Sequence, residues 1–278
     1  KAVVNASGAW TDELRAGLSA ESVIRPLRGS HLIVPSWRLP AAYSVSFFHP
    51  VDKRPVFAFP WEGVTVIGTT DLDHQQDMKK DASITQEEVD YLIDAVNQQF
   101  PGAHIEERDV MASYSGVRPV VGTGSLNPSS EKREHSIWDD QGLISVAGGK
   151  LTTFRLIALD VLDAAKTYLP HHDIDKNDEA IFKVSENAGD DKTSGIELTT
   201  HQLRRLKGRY GIYSAEITKG ALAKELTTIG TTDTLFAELR WALENETVVH
   251  LDDLLLRRTR VGLLLSNGGD AILERVKP

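Results

Sequence analysis

One passage limits this chain more than any other. Leu143-Ile-Ser-Val-Ala147 reads as a buried strand, Gly148-Gly149 stops it, and Leu151, Phe154, Ile157, Ala158, Val161, Leu162 and Ala165 follow at the spacing of one helix face. A strand passing through glycine directly into a helix leaves first-turn amides and the positive end of the helix dipole free for an anion. Lys150, Thr152 and Thr153 add a charge and two hydroxyls at that point. Two glycines serve a plain tight turn equally well, and known fingerprints do not decide between the readings. A P-loop needs Gly and Ser or Thr where Ile144 and Leu151 stand, and Gly122-Thr-Gly124 lacks the third glycine of a dinucleotide loop at Asn127.

A second passage of the same kind opens the chain. Lys1-Ala-Val-Val-Asn5 has the character of a strand already under way, Ala6 to Trp10 is a small-residue turn, and Thr11-Asp-Glu-Leu-Arg15 begins a helix with acids in its first turn. The start at Lys1 suggests a piece of a longer protein. Between the two passages the pattern is strand-like, with runs at 30–34, 43–48, 55–59 and 64–68 separated by Pro and Gly, as expected of an antiparallel sheet with one covered face. The cover is a helix entered through the capping box Thr85-Gln-Glu-Glu88, carrying Val89, Leu92, Ile93, Val96 and Phe100 and stopped by Pro101-Gly102. Short strands return around Ser115-Gly-Val-Arg118-Pro119, followed by a polar loop over 122–134. The stretch 171–194 reads as a linker, and 203–210, 235–243 and 251–265 read as helices.

The expected architecture is therefore mixed α+β. A remnant of one domain lies at 1–23, an antiparallel-sheet domain at 24–111, a return segment at 112–170, a linker at 171–189 and a small all-α domain at 190–278. Composition closes off other classes. The 278 residues carry 31 Lys+Arg against 40 Asp+Glu, a formal charge of −9, so a nucleic-acid partner is not expected. With no cysteine there are no disulfides, iron–sulfur clusters or thiolate ligands, and no metal site is expected. No apolar run approaches the ~20 residues that span a bilayer.

Among single residues, Arg118 stands out because a guanidinium beside Pro119 on a strand end can clamp a phosphate or carboxylate in two-pronged fashion, although a surface arginine in a salt bridge is the commoner case. His31, in an apolar strand after Arg28-Gly-Ser30, is a candidate base, although a satisfied core histidine is the commoner case.

Taken in order, Val3-Val-Asn-Ala-Ser-Gly-Ala-Trp10, Arg28-Gly-Ser-His31, Phe59-Pro-Trp-Glu62 with Ile67-Gly-Thr-Thr-Asp71, Ser115-Gly-Val-Arg-Pro119 and Gly148-Gly-Lys-Leu-Thr-Thr153 resemble the FAD-dependent glycerol-3-phosphate dehydrogenases. The helical end, with Ala237-Glu-Leu-Arg-Trp-Ala242 and the run 251–260, resembles that family's C-terminal domain. The family's N-terminal Rossmann segment, with its glycine-rich loop, has no counterpart here, and Ser7-Gly-Ala9 stands where Thr-Gly-Pro is commoner. The resemblance implies oxidation of sn-glycerol 3-phosphate to dihydroxyacetone phosphate with FAD as cofactor. It further implies a quinone acceptor, a peripheral place on the anionic inner face of the cell membrane facing the cytoplasm, and a homodimer; the fragment alone is expected to be inactive. A related oxidase passing electrons to oxygen, and a non-catalytic module binding a phosphorylated ligand, are the alternatives.

By the same resemblance Ala6, Ser7, Gly8 and Trp10 lie against FAD, as do Gly148, Gly149, Lys150, Leu151, Thr152 and Thr153. Arg118, Lys150 and Thr152 bind substrate, with Arg28 and Thr70 in the second rank. Arg118 and His31 are the catalytic pair, His31 as the base. Arg204, Arg205, Lys207 and Arg209 form a basic run that can meet lipid or remain a solvated helix face.

Overall fold

The computed structural model describes residues 1–18, 20–124, 131, 134–170 and 198–273. Among these the strands are β1 (Val3–Asn5), β2 (Ile24–Pro35), β3 (Val45–Phe48), β4 (Pro55–Trp61), β5 (Val64–Gly68), β6 (Leu72–Asp73), β7 (Ala112–Val121), β8 (His135–Asp140) and β9 (Leu143–Gly148). The α-helices are α1 (Thr11–Ala16), α2 (Gln86–Gln99), α3 (Phe154–Ala165), α4 (Thr200–Tyr210), α5 (Ser214–Thr218), α6 (Phe236–Asn245) and α7 (Val261–Leu264). One sheet has the order β1-β9-β8; the other runs β3-β4-β5-β2-β6, with β7 beside β2. The architecture is the mixed one that the residue pattern predicts. The chain divides into two compact units, one of Lys1–His31, Thr69–Glu88 and Tyr114–Glu179, the other of Leu32–Gly68, Val89–Ser113 and Ala180–Pro278.

In the first unit β1 lies parallel to β9, Val3 opposite Leu143 and Asn5 opposite Ser145. A tight hairpin joins β8 to β9 through Gln141 and Gly142, whose φ angles of 58° and 94° suit the twist of paired strands. The apolar stripe of α3 closes over this sheet: Val161 and Ala165 pack with Ile144 and Val146 into a small core. The early part of β2 pairs with β6, Leu27 opposite Asp73 and Arg28 opposite Leu72.

The second unit is built on the antiparallel ladder β3-β4-β5. Val56 and Ala58 are buried while Phe57 between them is 38 % exposed, the alternation of a sheet with one covered face. Among the described residues its helical part has two small cores, and α6 feeds both. Phe236, Leu239 and Ala242 join Leu254, Leu255 and Val261, whereas Ala237 and its preceding Leu235 join Leu206 and Ile217.

The structure departs from the sequence expectation in four places. Strand β8 falls where no strand is expected, β7 is one long strand, and β2 begins six residues earlier than the run at 30–34. The segment 251–265 is not one helix: a π-wound turn over Asp253–Arg258 ends before Arg260, whose φ of 62° breaks the spiral and starts α7. The expected linker at 171–189 lies outside the described residues. No helix among the described residues is long and apolar enough to cross a membrane.

Candidate functional site

Two groups of candidate residues gather within the first unit. The first centres on Arg118 of β7. Its guanidinium lies against Gly29 of β2 so closely that a side-chain carbon there would collide with Nη1, Nη2 and Cζ. From that seat Nη2 donates to Thr69 Oγ1 at 2.9 Å, and Nη1 donates to the Thr70 carbonyl at 3.4 Å and to Asp71 Oδ1 at 3.3 Å. The Arg118 side chain keeps 29 % of its surface exposed.

His31 belongs to the same group. Its ring stacks on Tyr114 at 4.6 Å between centroids and 7° between planes, and its Nδ1 is buried without a hydrogen-bond partner. Burial first, and the nearby Arg118 charge second, push the imidazole down to about 4. At neutral pH the ring is therefore uncharged, and its basicity is lower than that of an ordinary imidazole. Burial raises the Tyr114 phenol, which stays protonated beside it.

Beneath Arg118 lies a polar network around Glu88, a residue only 1 % exposed. Its Oε1 accepts from Ser30 Oγ at 2.8 Å and from Thr70 Oγ1 at 2.6 Å; its Oε2 accepts from the Thr85 amide at 3.0 Å and lies 2.9 Å from Arg28 Nη2. Burial works against the charge, yet the hydrogen bonds from Thr70, Thr85 and Ser30 and the Arg28 guanidinium hold Glu88 below the usual carboxylate range. Arg28, a candidate ligand by resemblance, is 5 % exposed and committed to this carboxylate. Thr70 faces the same network rather than open solvent.

The second group forms around β1 and β9. Asn5, 2 % exposed, donates to the Thr11 carbonyl and to Ser145 Oγ and accepts from the Ser7 amide and hydroxyl, pinning the turn Ala6–Trp10 from below. Gly8 takes a φ of 65° in that turn, and Trp10 Nε1 donates to the Met78 carbonyl at 3.1 Å. At the other passage a Cβ on Gly148 would stand 2.5 Å from the Glu134 carbonyl, and one on Gly149 would stand 2.6 Å from Ile157 Cδ1. Close packing thus accounts for both glycines. What remains available to an anion is the helix start itself. Lys150 at the N-cap makes no side-chain cap, neither the 3-10 turn Leu151–Thr153 nor the first turn of α3 carries an acid, and Leu151 is 87 % exposed. Thr153 spends its hydroxyl on the Lys150 carbonyl at 2.9 Å, while Thr152 is exposed.

In the second unit the basic run on α4 divides. Arg205 pairs with Glu238 at 2.7 Å and Arg209 with Glu62 at 3.4 Å, their side chains 12 % and 16 % exposed. Both point inward, so only Arg204 and Lys207 of the four face solvent. Asn5, Gly29 and Asp71 stand inside the sequence motifs without a role assigned to them, Glu88 is read there only as a helix cap, and Tyr114 is not singled out at all. Gly29 precedes the expected strand run at 30–34, and only its place inside β2 marks it as a point of close approach.

Comparison with known proteins adds an independent line. The family described as FAD dependent oxidoreductase matches residues 1–158, and the C-terminal domain of alpha-glycerophosphate oxidase matches residues 171–277. The aerobic glycerol-3-phosphate dehydrogenase of Staphylococcus saprophyticus is 31 % identical over 278 residues, covering 93 % of this chain and 50 % of that protein. The enzyme of the same name from Staphylococcus aureus is 30 % identical over 282 residues with the same coverage. Among solved structures, the glycerol-3-phosphate dehydrogenase from Bacillus halodurans complexed with FAD superposes with a TM-score of 0.70 at 27 % identity, over 99 % of this chain and 55 % of its own. The chain spans about half the length of the curated relatives it matches.

Proposed function

The chain belongs to the family of FAD dependent oxidoreductases, and from that premise we propose that it carries the substrate side of an oxidation of sn-glycerol 3-phosphate to dihydroxyacetone phosphate. The observation that carries this reading is the Arg118 guanidinium seated on Gly29 and held by Thr69, Thr70 and Asp71, with a neutral imidazole at His31 nearby. A fixed cation of this kind suits a phosphate or an oxygen that gains negative charge as its proton leaves.

The start of α3, uncapped and free of acids, fits a group that becomes more negative on reduction, and with Ala6, Ser7, Gly8 and Trp10 it would hold FAD. FAD, when bound, supplies the two-electron acceptor for the hydride on substrate C2. The remaining work falls to this chain. Arg118 anchors the substrate through its phosphate or its C2 oxygen, Lys150 and Thr152 hold it from the helix start, and a ring nitrogen of His31 takes the proton of the C2 hydroxyl. On this reading residues 24–111 form the substrate domain, 1–23 and 112–170 the flavin-domain parts, 171–189 the linker and 190–278 the helical domain.

Electrons pass on to a quinone, and the enzyme works as a homodimer held peripherally at the cytoplasmic, inner face of the cell membrane. Oxygen as acceptor is the second reading, favoured by the match of residues 171–277 to a domain described for an alpha-glycerophosphate oxidase. The test uses the flavin-loaded holoprotein. Glycerol 3-phosphate should bleach the flavin absorbance without oxygen, and turnover should follow a quinone analogue rather than peroxide release. No bleaching sinks the substrate assignment, and peroxide in step with product selects the oxidase.

A further inference from the structure

We propose that Glu88 is a positioning residue that fixes the Arg118 guanidinium by tying together the three segments on which it rests. The inference relies on the reading above only for what Arg118 does, not for how it is held. Gly29, the floor under the guanidinium, is flanked by Arg28 and Ser30, and both side chains end on the Glu88 carboxylate. The ledge that accepts its hydrogen bonds, Thr69 to Asp71, is joined to the same carboxylate through Thr70 Oγ1, which also accepts from the Ser30 amide at 2.9 Å. The strand that carries Arg118 is reached through Ser115, three residues earlier, whose hydroxyl lies 2.8 Å from Ser30 Oγ.

A helix cap alone does not need this arrangement. The capping box uses the Thr85 amide and hydroxyl, both on Oε2, and leaves Oε1 to Ser30 and Thr70. A buried carboxylate whose lone pairs are all engaged, with one guanidinium against it, makes a stiff hub, because each partner it lost would cost a charge-assisted bond in a low dielectric.

The test is a double-mutant cycle in the holoprotein with Glu88→Gln and Arg118→Ala. Glu88→Gln keeps the shape and removes the charge. It should raise KM for glycerol 3-phosphate about tenfold with kcat within about threefold of wild type, and change KM less than about twofold once Arg118 is already alanine. Equal factors in both backgrounds overturn the proposal.

Titration of the His31 ring by NMR needs no turnover. Loss of a carboxylate lowers a neighbouring imidazole by direct electrostatics, whereas release of Arg118 raises it. Burial, the larger cause of the depression, stays in place, so a His31 midpoint in Glu88→Gln that rises above about 4 supports the proposal, and one that stays or falls overturns it. Should Glu88→Gln not fold, Ser115→Ala and Thr70→Val each cut one tie and are read in the same two ways. If the wild-type holoprotein leaves glycerol 3-phosphate untouched, the function reading fails while the titration still decides the role of Glu88.

Discussion

Each unit of the molecule has a buried or half-buried glutamate paired with arginine, Glu88 in the first and Glu62 in the second, and these two hubs are built in opposite ways. Around Glu88 there is one guanidinium and a set of hydroxyl and amide donors from Ser30, Thr70 and Thr85. Around Glu62, at the turn between β4 and β5, there are three guanidiniums, those of Arg205, Arg209 and Arg260, at 3.8, 3.4 and 3.2 Å. Among the described residues no hydroxyl joins them in the contacts of Glu62, and its Oε2 is buried without a hydrogen-bond partner there. Short bonds to fixed hydroxyls define positions to a fraction of an ångström; shared Coulomb attraction over longer distances supplies cohesion without such definition. The first construction suits a site, and the second suits the joining of a β-turn to a helical layer.

The largest expected effect tests the first half of that contrast. Gly29→Ala puts a carbon where the Arg118 guanidinium lies, so the cation must leave its seat. Steady-state kinetics of the holoprotein should show kcat/KM for glycerol 3-phosphate down about a hundredfold, with unfolding in urea changed by only about 1 kcal/mol because the displaced group is a side-chain end. Unchanged kcat/KM would mean that the seat is irrelevant to the reaction.

Glu62→Gln tests the other half and should show the reverse profile. Three guanidiniums lose their common counter-charge, and because the Glu62 side chain is 21 % exposed and partly screened, the loss of stability should be about 2 kcal/mol rather than the full cost of an orphaned buried charge. KM for the same substrate should stay within about twofold of wild type. A Glu62→Gln protein that binds substrate poorly while melting normally would reverse the roles given to the two hubs.

The next effect follows from His31. Its folded-state imidazole sits at about 4 and its unfolded-state value near the ordinary 6.5, so between these limits the unfolded chain binds the extra proton. The native state loses stability as pH falls from about 6.5 to about 4. His31→Asn should flatten that part of the urea-midpoint profile, and an identical slope in both proteins would show that the ring is not held neutral. With His31 in the role of base proposed above, the ring would be in its accepting form above about 4, and no loss of kcat/KM on that account is expected across neutral pH.

How much of this was legible beforehand depends on how far the partners lie along the chain. The capping box at Thr85 and Glu88 and the helix it starts are local, and they stand where the pattern put them. The second task of Glu88 is not local: Arg28, Ser30 and Thr70 come from distant positions, and only the pairing of β2 with its neighbours brings them to one carboxylate. His31 and Arg118 were named singly, but their proximity depends on β7 lying beside β2. The strand β8 escaped notice because its residues show no clean alternation, being mostly half-buried along its length. The reading of 251–265 as one helix failed at Arg260, where a left-handed residue directs a guanidinium over Trp61 and onto Glu62. On α4, side-chain spacing could not tell which arginines turn inward, because Glu238 and Glu62 lie on other elements.

The smallest expected effect separates the two hubs at the level of a single arginine. At Glu62 the guanidiniums are redundant and crowd one another: burial, then the charge of Arg209, lower the Arg260 value, and Glu62 offsets only part of this. Arg260→Gly removes one of three partners, relieves a neighbour repulsion and supplies a residue at ease with a φ of 62°. Its stability should therefore stay within about 0.5 kcal/mol of wild type, with a weaker dependence on salt. Arg28→Gln, at the hub with only one guanidinium, leaves a carboxylate that is 1 % exposed without its cation and should cost about 3 kcal/mol. Urea unfolding of the two variants side by side reads the difference directly. Equal costs would show that counting donors around a glutamate says nothing about how firmly it holds its surroundings.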